Sequence, residues 1–258
     1  MENLAADALG LLSGSLVGFS LGLVGGGGSI LALPLMIYVV GVPSVHVGIG
    51  TTALTVAVNA AVNLVSHARM GTVKWLCAGV FAAAGVVGAF GGSSLSKAVD
   101  GQKLLVLFAI LMLAIAAVMF ARRSREGDPN VKLSRENLPQ LLGTGLLTGA
   151  LSGFFGIGGG FLIVPGLMFA SGMPIINAVG SSLVAVAAFG ATAAFNYARS
   201  GLVDWHLAIV FIAGGVVGGL AGGLVARMLG KQRGALNVVF AGIIVLVAIY
   251  MLYRSILT

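Results

Sequence analysis

The chain has 258 residues, of which 59% are hydrophobic and 8% charged, with a mean hydropathy of +1.10. Soluble domains carry about 25% charged residues, so water is excluded as the main solvent. The formal charge of +7 does not point to nucleic acid, because the 14 Lys and Arg sit in short clusters between apolar runs, as topology signals in membrane proteins do.

Taken in chain order, Leu4 to Val24 reads as an uncleaved first span, since MENLAADALG carries acids where a signal peptide has a basic region. The glycine run GLVGGGGS follows, then a short apolar run from Ser29 to Val40 and a long one from Val45 to Val65. Two more cover Leu76 to Leu95 and Leu104 to Ala121. Such lengths suit helices that cross a hydrocarbon core about 30 Å thick. Only helices and closed barrels satisfy their backbones in lipid, and period-2 alternation is absent. The predicted class is therefore all-α, a polytopic transmembrane bundle of about eight to ten membrane segments, some of them short, broken or re-entrant.

The second half repeats the first. GSLVGFSLGLVGGGG (Gly14 to Gly28) lies over GLLTGALSGFFGIGG (Gly145 to Gly159), and Pro34 over Pro165. One residue is then lost, after which ARMGTVKW (Ala68 to Trp75) lies over ARSGLVDW (Ala198 to Trp205). Residues 1–122 and 139–258 are read as two homologous transmembrane repeats joined by a polar cytoplasmic linker, 123–138, an organisation many secondary transporters share. If the short run counts as a crossing, each repeat has five and the two are inverted. Lys97, Lys103, Arg199 and Arg254 then lie outside and the other basic residues inside. Four crossings give parallel repeats and a weaker inside bias. The positive-inside rule leans toward inversion.

Glycine costs about 1 kcal/mol against alanine in a helix interior, so both glycine clusters predict broken helices. A break leaves bare N–H groups at the start of the next segment, expected near Ser29 in the first half, and the helix dipole makes that end suited to an anion. Candidate substrate-binding residues are Gly25, Gly27, Gly28 and Ser29, with Gly156, Gly158, Gly159 and Gly160 in the second copy. GTT and GSS, read as opening long helices, add the hydroxyls of Thr51, Thr52, Ser181 and Ser182, either as helix caps or as donors to a ligand. Thr51, Thr55, Asn59 and Asn63 recur every four residues and share one helix face, and Asn59 joins the candidate set. Their mates, Ser181, Ala185, Phe189 and Ala193, are less polar. By contrast, Gly14, Gly18 and Gly22 and their mates Gly145, Gly149 and Gly153 form smooth faces for helix packing.

Arg69 with Trp75, and Arg199 with Trp205, mark paired turns at the membrane interface that could also guide an anion inward. The three histidines are too scattered for a metal, no cofactor motif is present, and all seven acids lie near or beyond span ends. No phosphate loop or nucleophile-and-base set occurs, so the chain is not read as an enzyme. A channel or a non-transporting scaffold remains open beside a carrier. The expected partners are a small anion and the lipid bilayer, with no nucleic acid; the glycine faces would permit a homodimer, and the coupling ion, proton or sodium, is unspecified.

In combination, GLVGGGGSILALPLMIYVVGVP, GIGTTALT and ARMGTVKW, with the second set GFFGIGGGFLIVPGLMFASGMP, GSSL and ARSGLVDW, resemble the sulfite exporter TauE/SafE family of permeases. That resemblance implies a multi-pass transporter of the bacterial or archaeal cytoplasmic membrane. Its cargo would be sulfur-containing or organic anions such as sulfite, sulfonates or sulfoacetate. The change from GIGTT to VGSS in the second half leaves the substrate open.

Overall fold

The structure, a computed structural model, describes residues 2–121, 128, 131–156, 160–228, 245, 248–251 and 253. Helix α1 (Glu2–Val24) ends where Gly25 turns to φ +71°. A 3-10 helix (Gly25–Leu31), a single turn α2 (Ala32–Pro34) and a π-helical turn (Leu35–Val39) follow. Proline lacks an N–H and its ring crowds the preceding turn; just after Pro34 the ladder widens, and Val40 N–H reaches back to Leu35 C=O at 2.9 Å.

Three longer helices complete the first half, α3 (Val45–Arg69), α4 (Trp75–Ser96) and α5 (Gly101–Ala121). The second half contains α6 (Leu138–Phe155), α7 (Gly160–Ser171), α8 (Ile175–Ala198) and α9 (Trp205–Met228). Near the C-terminus, residues 245, 248–251 and 253 are helical, and the Tyr250 ring meets Tyr38 edge-on at 5.6 Å. Every described element is helical, and Leu4–Leu23, Val45–Arg69, Trp75–Ser96, Ile175–Ala198 and Trp205–Val225 are long and apolar enough to cross a membrane.

Sequence chemistry fixes the helix ends. Ser44 Oγ accepts from Val47 N–H at 3.4 Å to start α3, and Asp204 Oδ1 accepts from Leu207 N–H at 3.0 Å to start α9. Asp100 Oδ1 receives the amides of Gln102 and Lys103 at the head of α5. Such caps satisfy amides that have no partner within the helix.

The glycine faces determine how the helices pair. Gly14, Gly18 and Gly22 of α1 lie in turn on Phe211, Gly215 and Gly219 of α9, so these two helices run parallel. Likewise Gly145, Gly149 and Gly153 of α6 lie on Phe81, Gly85 and Ala89 of α4. A β-carbon on Gly18 would collide with the Gly215 carbonyl. Where lipid is as apolar as the core, close backbone approach supplies the van der Waals attraction that holds helices together. The packing role expected for these six glycines is thus realised.

Helices α3 and α8 cross the middle in opposite directions: Gly50 meets Tyr197, Gly190 meets Ala53 and Ala57, and Gly180 meets Thr72. Along α9, Gly215 and Gly219 meet Asn59 and Asn63, which makes α3 parallel to α9 and hence to α1. The chain between α1 and α3 must therefore return across the bundle. At about 2.0 Å per 3-10 residue and 1.5 Å per α residue, Gly25–Pro34 reaches about 18 Å, more than a uniform α-helix of that length.

A polar tie closes one end, where Asn196 Nδ2 donates to Ser93 Oγ and Ser94 Oγ, and Lys97 Nζ donates to Asn196 Oδ1 at 2.9 Å. Large apolar side chains such as Leu12, Leu16, Val87, Ile209 and Val217 face outward, as a lipid-facing surface requires.

Candidate functional site

In the glycine clusters Gly25 takes φ +71° and Gly156 φ +65°. Any residue with a β-carbon is strained there. Gly25 lies on Val179 and Gly156 on Ile49, and Ile49 and Val179 are mates in the sequence repeat.

The new helical segment does not start near Ser29, as the sequence suggested. Once the chain has reversed at Gly25, its next amides enter 3-10 geometry at once, so Gly27, Gly28 and Ser29 lie inside the turn. Ser29 Oγ then donates to Gly26 C=O at 2.9 Å and is fully buried. In the second half α7 is described from Gly160. Gly158 and Gly159 lie outside the described residues. The two interruptions meet: a β-carbon on Gly26 would lie 2.7 Å from Gly160 Cα, and one on Gly160 would strike the Gly26 carbonyl.

A second correction concerns the hydroxyls. GTT and GSS do not open their helices, because Ser44 and Pro174 are better first-turn residues, and α3 and α8 begin more than a turn earlier, at Val45 and Ile175. Their hydroxyls cap nothing in their own helices and instead reach the opposite half. Thr51 Oγ1 accepts from Asp204 N–H at 2.9 Å, and its mate Ser181 Oγ accepts from Lys74 N–H at 2.8 Å. Thr52 Oγ1 lies 3.3 Å from Gly156 C=O and 2.8 Å from Gly48 C=O as a donor to either. Its mate Ser182 accepts from Gly26 N–H at 3.3 Å and donates to Val179 C=O at 2.8 Å. All four are fully buried.

The structure thus brings Gly25, Ser29, Thr52, Gly156, Gly160 and Ser182 to the central crossing, with Thr51 and Ser181 one position away. Asn59 lies two turns further along α3, against Gly215 of α9. The paired turns stand at the ends of the bundle, with Arg69 and Arg199 exposed and Trp75 and Trp205 55% and 60% exposed. They touch the centre mainly through the backbone: the amides of Lys74 and Asp204 donate to Ser181 and Thr51, Thr72 C=O accepts from Asn177 Nδ2, and Leu202 C=O lies on Gly50.

Ser152 was missed by the sequence reading. It is buried one turn before Gly156, and its hydroxyl has no hydrogen-bond partner. The available signal was its mate, Leu21: a serine where the other copy has leucine. Among the described residues the buried polar side chains are Ser, Thr, Asn and His67, so the centre offers hydroxyls and amides with no buried lysine, arginine or carboxylate. No group of three or more His, Cys, Asp or Glu is placed to hold a metal among those residues.

Comparison with known proteins gives the family. The family model described as "Sulfite exporter TauE/SafE" matches residues 10–251. Two relatives named "Probable membrane transporter protein", from Xylella fastidiosa strains Temecula1 and 9a5c, are each 52% identical over 246 residues, covering 94% of either chain. "Probable membrane transporter protein MJ0441" of Methanocaldococcus jannaschii is 30% identical over 179 residues, 65% of each chain. No solved structure matches. With this family assignment and several membrane-length apolar helices, the protein is a multi-pass membrane transporter rather than an enzyme, and the chain belongs to the sulfite exporter TauE/SafE family.

Proposed function

We propose that the protein is a secondary carrier of small sulfur-containing or organic oxyanions, sulfite and sulfonates among them, working by alternating access between two inverted halves. The observation that carries this reading is the reciprocal central crossing. Each broken segment bonds to a hydroxyl of the other half, Gly26 to Ser182 and Gly156 to Thr52. Antiparallel α3 and α8, and the pairing of α1 with α9 and of α6 with α4, support an exchange of equivalent contacts between the repeats 1–122 and 139–258.

An oxyanion presents several acceptor oxygens and needs donors. The first turn of α7 and the 3-10 turn after Gly25 supply amide N–H groups at the positive ends of helical segments, where anions are favoured. Thr52, Ser152, Ser181 and Ser182 supply hydroxyls, with Gly27, Gly28, Gly158 and Gly159 completing the glycine walls in this reading. Neutral donors in a dry centre bind an anion without the desolvation penalty of a buried lysine, and they release it again when the walls part.

In the present conformation the two walls touch at Gly26 and Gly160, leaving the hydroxyls bonded to protein. Transport then requires the halves to separate on one side and to exchange these bonds for bonds to the ligand, the rocking expected of inverted repeats. Uptake of labelled sulfite by proteoliposomes containing only this chain tests the reading. Saturable uptake, competed by sulfonates and weakened at least tenfold in Ser182→Ala, is expected. Uptake no greater than in empty liposomes overturns it, and conductance far above carrier turnover would make the protein a channel.

A further inference from the structure

Away from the central crossing, α3 carries a second polar set that the anion reading does not use. Thr55, Asn59 and Asn63 follow one another by single turns and are 0%, 0% and 4% exposed. In the outer two, Thr55 Oγ1 donates to Thr52 C=O at 3.0 Å, and Asn63 Nδ2 donates to Asn59 C=O at 2.9 Å. Neither Oδ1 nor Nδ2 of Asn59 has a partner.

Asn63 looks onto a helix end. Asn59 lies against Gly215, and Asn63 against Gly219 of α9 and Gly22 of α1, where a β-carbon would sit 3.1 Å from Asn63 Oδ1. Gly22 belongs to the last turn of α1, which stops at Val24 because of the reversal at Gly25. The final carbonyls of a helix lack intrahelical partners and form its negative pole. The Asn63 carboxamide oxygen therefore lies beside a carbonyl pole at the α1–α3–α9 junction, with the unpartnered Asn59 carboxamide one turn away on α3.

The other half shows what the same place looks like when it binds nothing. Gly85 is the mate of Gly215, and the side chain against it is Phe189, the mate of Asn59. The Phe189 ring stacks on Phe81 at 6.2 Å and 23°, and Ala193 replaces Asn63. An aromatic ring fills that notch with no polar atom to satisfy. The smaller carboxamide in the first half leaves a buried polar group that only a ligand or water can complete.

We propose that a sodium ion binds here, held by Asn59 Oδ1 and Asn63 Oδ1 with main-chain carbonyls at the end of α1, and that its gradient drives the anion carrier. Neutral oxygens favour a monovalent ion, whereas calcium or magnesium sites use carboxylates, and an anion would meet the negative pole of α1. Unwound backbone and half-helix C-termini coordinate cations in transporters of inverted repeats. Binding stands on this geometry alone; only its coupling role rests on the carrier reading.

The test is thermal unfolding of the purified protein in sodium, potassium or choline chloride at equal ionic strength, alongside sulfite uptake with and without an inward sodium gradient. A ligand that binds only the folded form raises its melting temperature. We expect a saturable, sodium-specific rise of about 3 °C or more, lost in Asn59→Ala and in Asn63→Ala, each of which tests the site if the other fails to fold. Sodium-driven uptake should fall with the same variants. Equal melting in the three salts, or a sodium rise that survives both substitutions, overturns the site. Sodium-specific melting without sulfite uptake keeps the site and rejects the carrier, whereas uptake indifferent to sodium with no melting response keeps the carrier and rejects the site.

Discussion

The glycine notch at Gly85 and the one at Gly215 come from the same repeated sequence yet are filled in opposite ways. In the first, the Phe189 ring stacks on Phe81 within an apolar core; in the second, the Asn59 carboxamide lies fully buried with neither polar atom bonded. A duplicated helix pair therefore keeps its backbone contact, glycine on backbone, while the side chain inserted into it diverges. Packing is common to both notches, whereas only one is filled by a polar side chain.

That difference can be broken experimentally. Phe189→Ala should have the largest effect, destabilising by about 3–5 kcal/mol because it removes a buried ring and leaves a cavity. Thermal unfolding in choline chloride would show it. Under the same conditions Asn59→Leu should be neutral or stabilising, since it removes a buried polar group without a partner, yet it should abolish sodium-dependent uptake. If Asn59→Leu proved as damaging as Phe189→Ala, the two notches would be equivalent packing sites.

Thr51→Val and Ser181→Ala sharpen the comparison from the symmetric side. Each removes the acceptor for one amide of the opposite half, Asp204 or Lys74. Losses of about 1–3 kcal/mol are expected for an orphaned buried group, and the two values should agree closely. A large loss in one half alone would deny the equivalence of these cross-half bonds. The smallest effect belongs to His206→Ala, which cuts the 2.9 Å pair with Asp7. With His206 70% exposed, the loss should stay below about 1 kcal/mol, and a Tm shift beyond that would assign the pair a structural role.

Much of this was readable from residue order, and the rest was not for definite reasons. Apolar length located α1, α3, α4 and α5 within a few residues, and four-residue spacing identified Gly14, Gly18 and Gly22 as a packing face. Composition alone does not say which glycine of GGGG takes positive φ; the fit of Gly25 to Val179 decides it, and that contact comes from the other half. For the same reason Thr51 and Ser181 looked like caps of their own helices, although their partners are amides more than 100 residues away. Asn59 was legible as a polar residue on an apolar helix. Its lack of a partner became visible only once Gly215 was placed beside it.

Relative movement of the two halves along the α3–α8 contact is the claim on which transport depends. A β-carbon on Gly190 would lie 3.0 Å from Ala57 Cβ, close to the Cβ separation of about 3.5–4.5 Å that a disulfide uses, and Cys77, the single cysteine, is buried. Sulfite uptake by the Ala57→Cys, Gly190→Cys variant should stop on oxidation and recover on reduction. Full uptake with the cross-link shown to be complete would contradict alternating access between the halves.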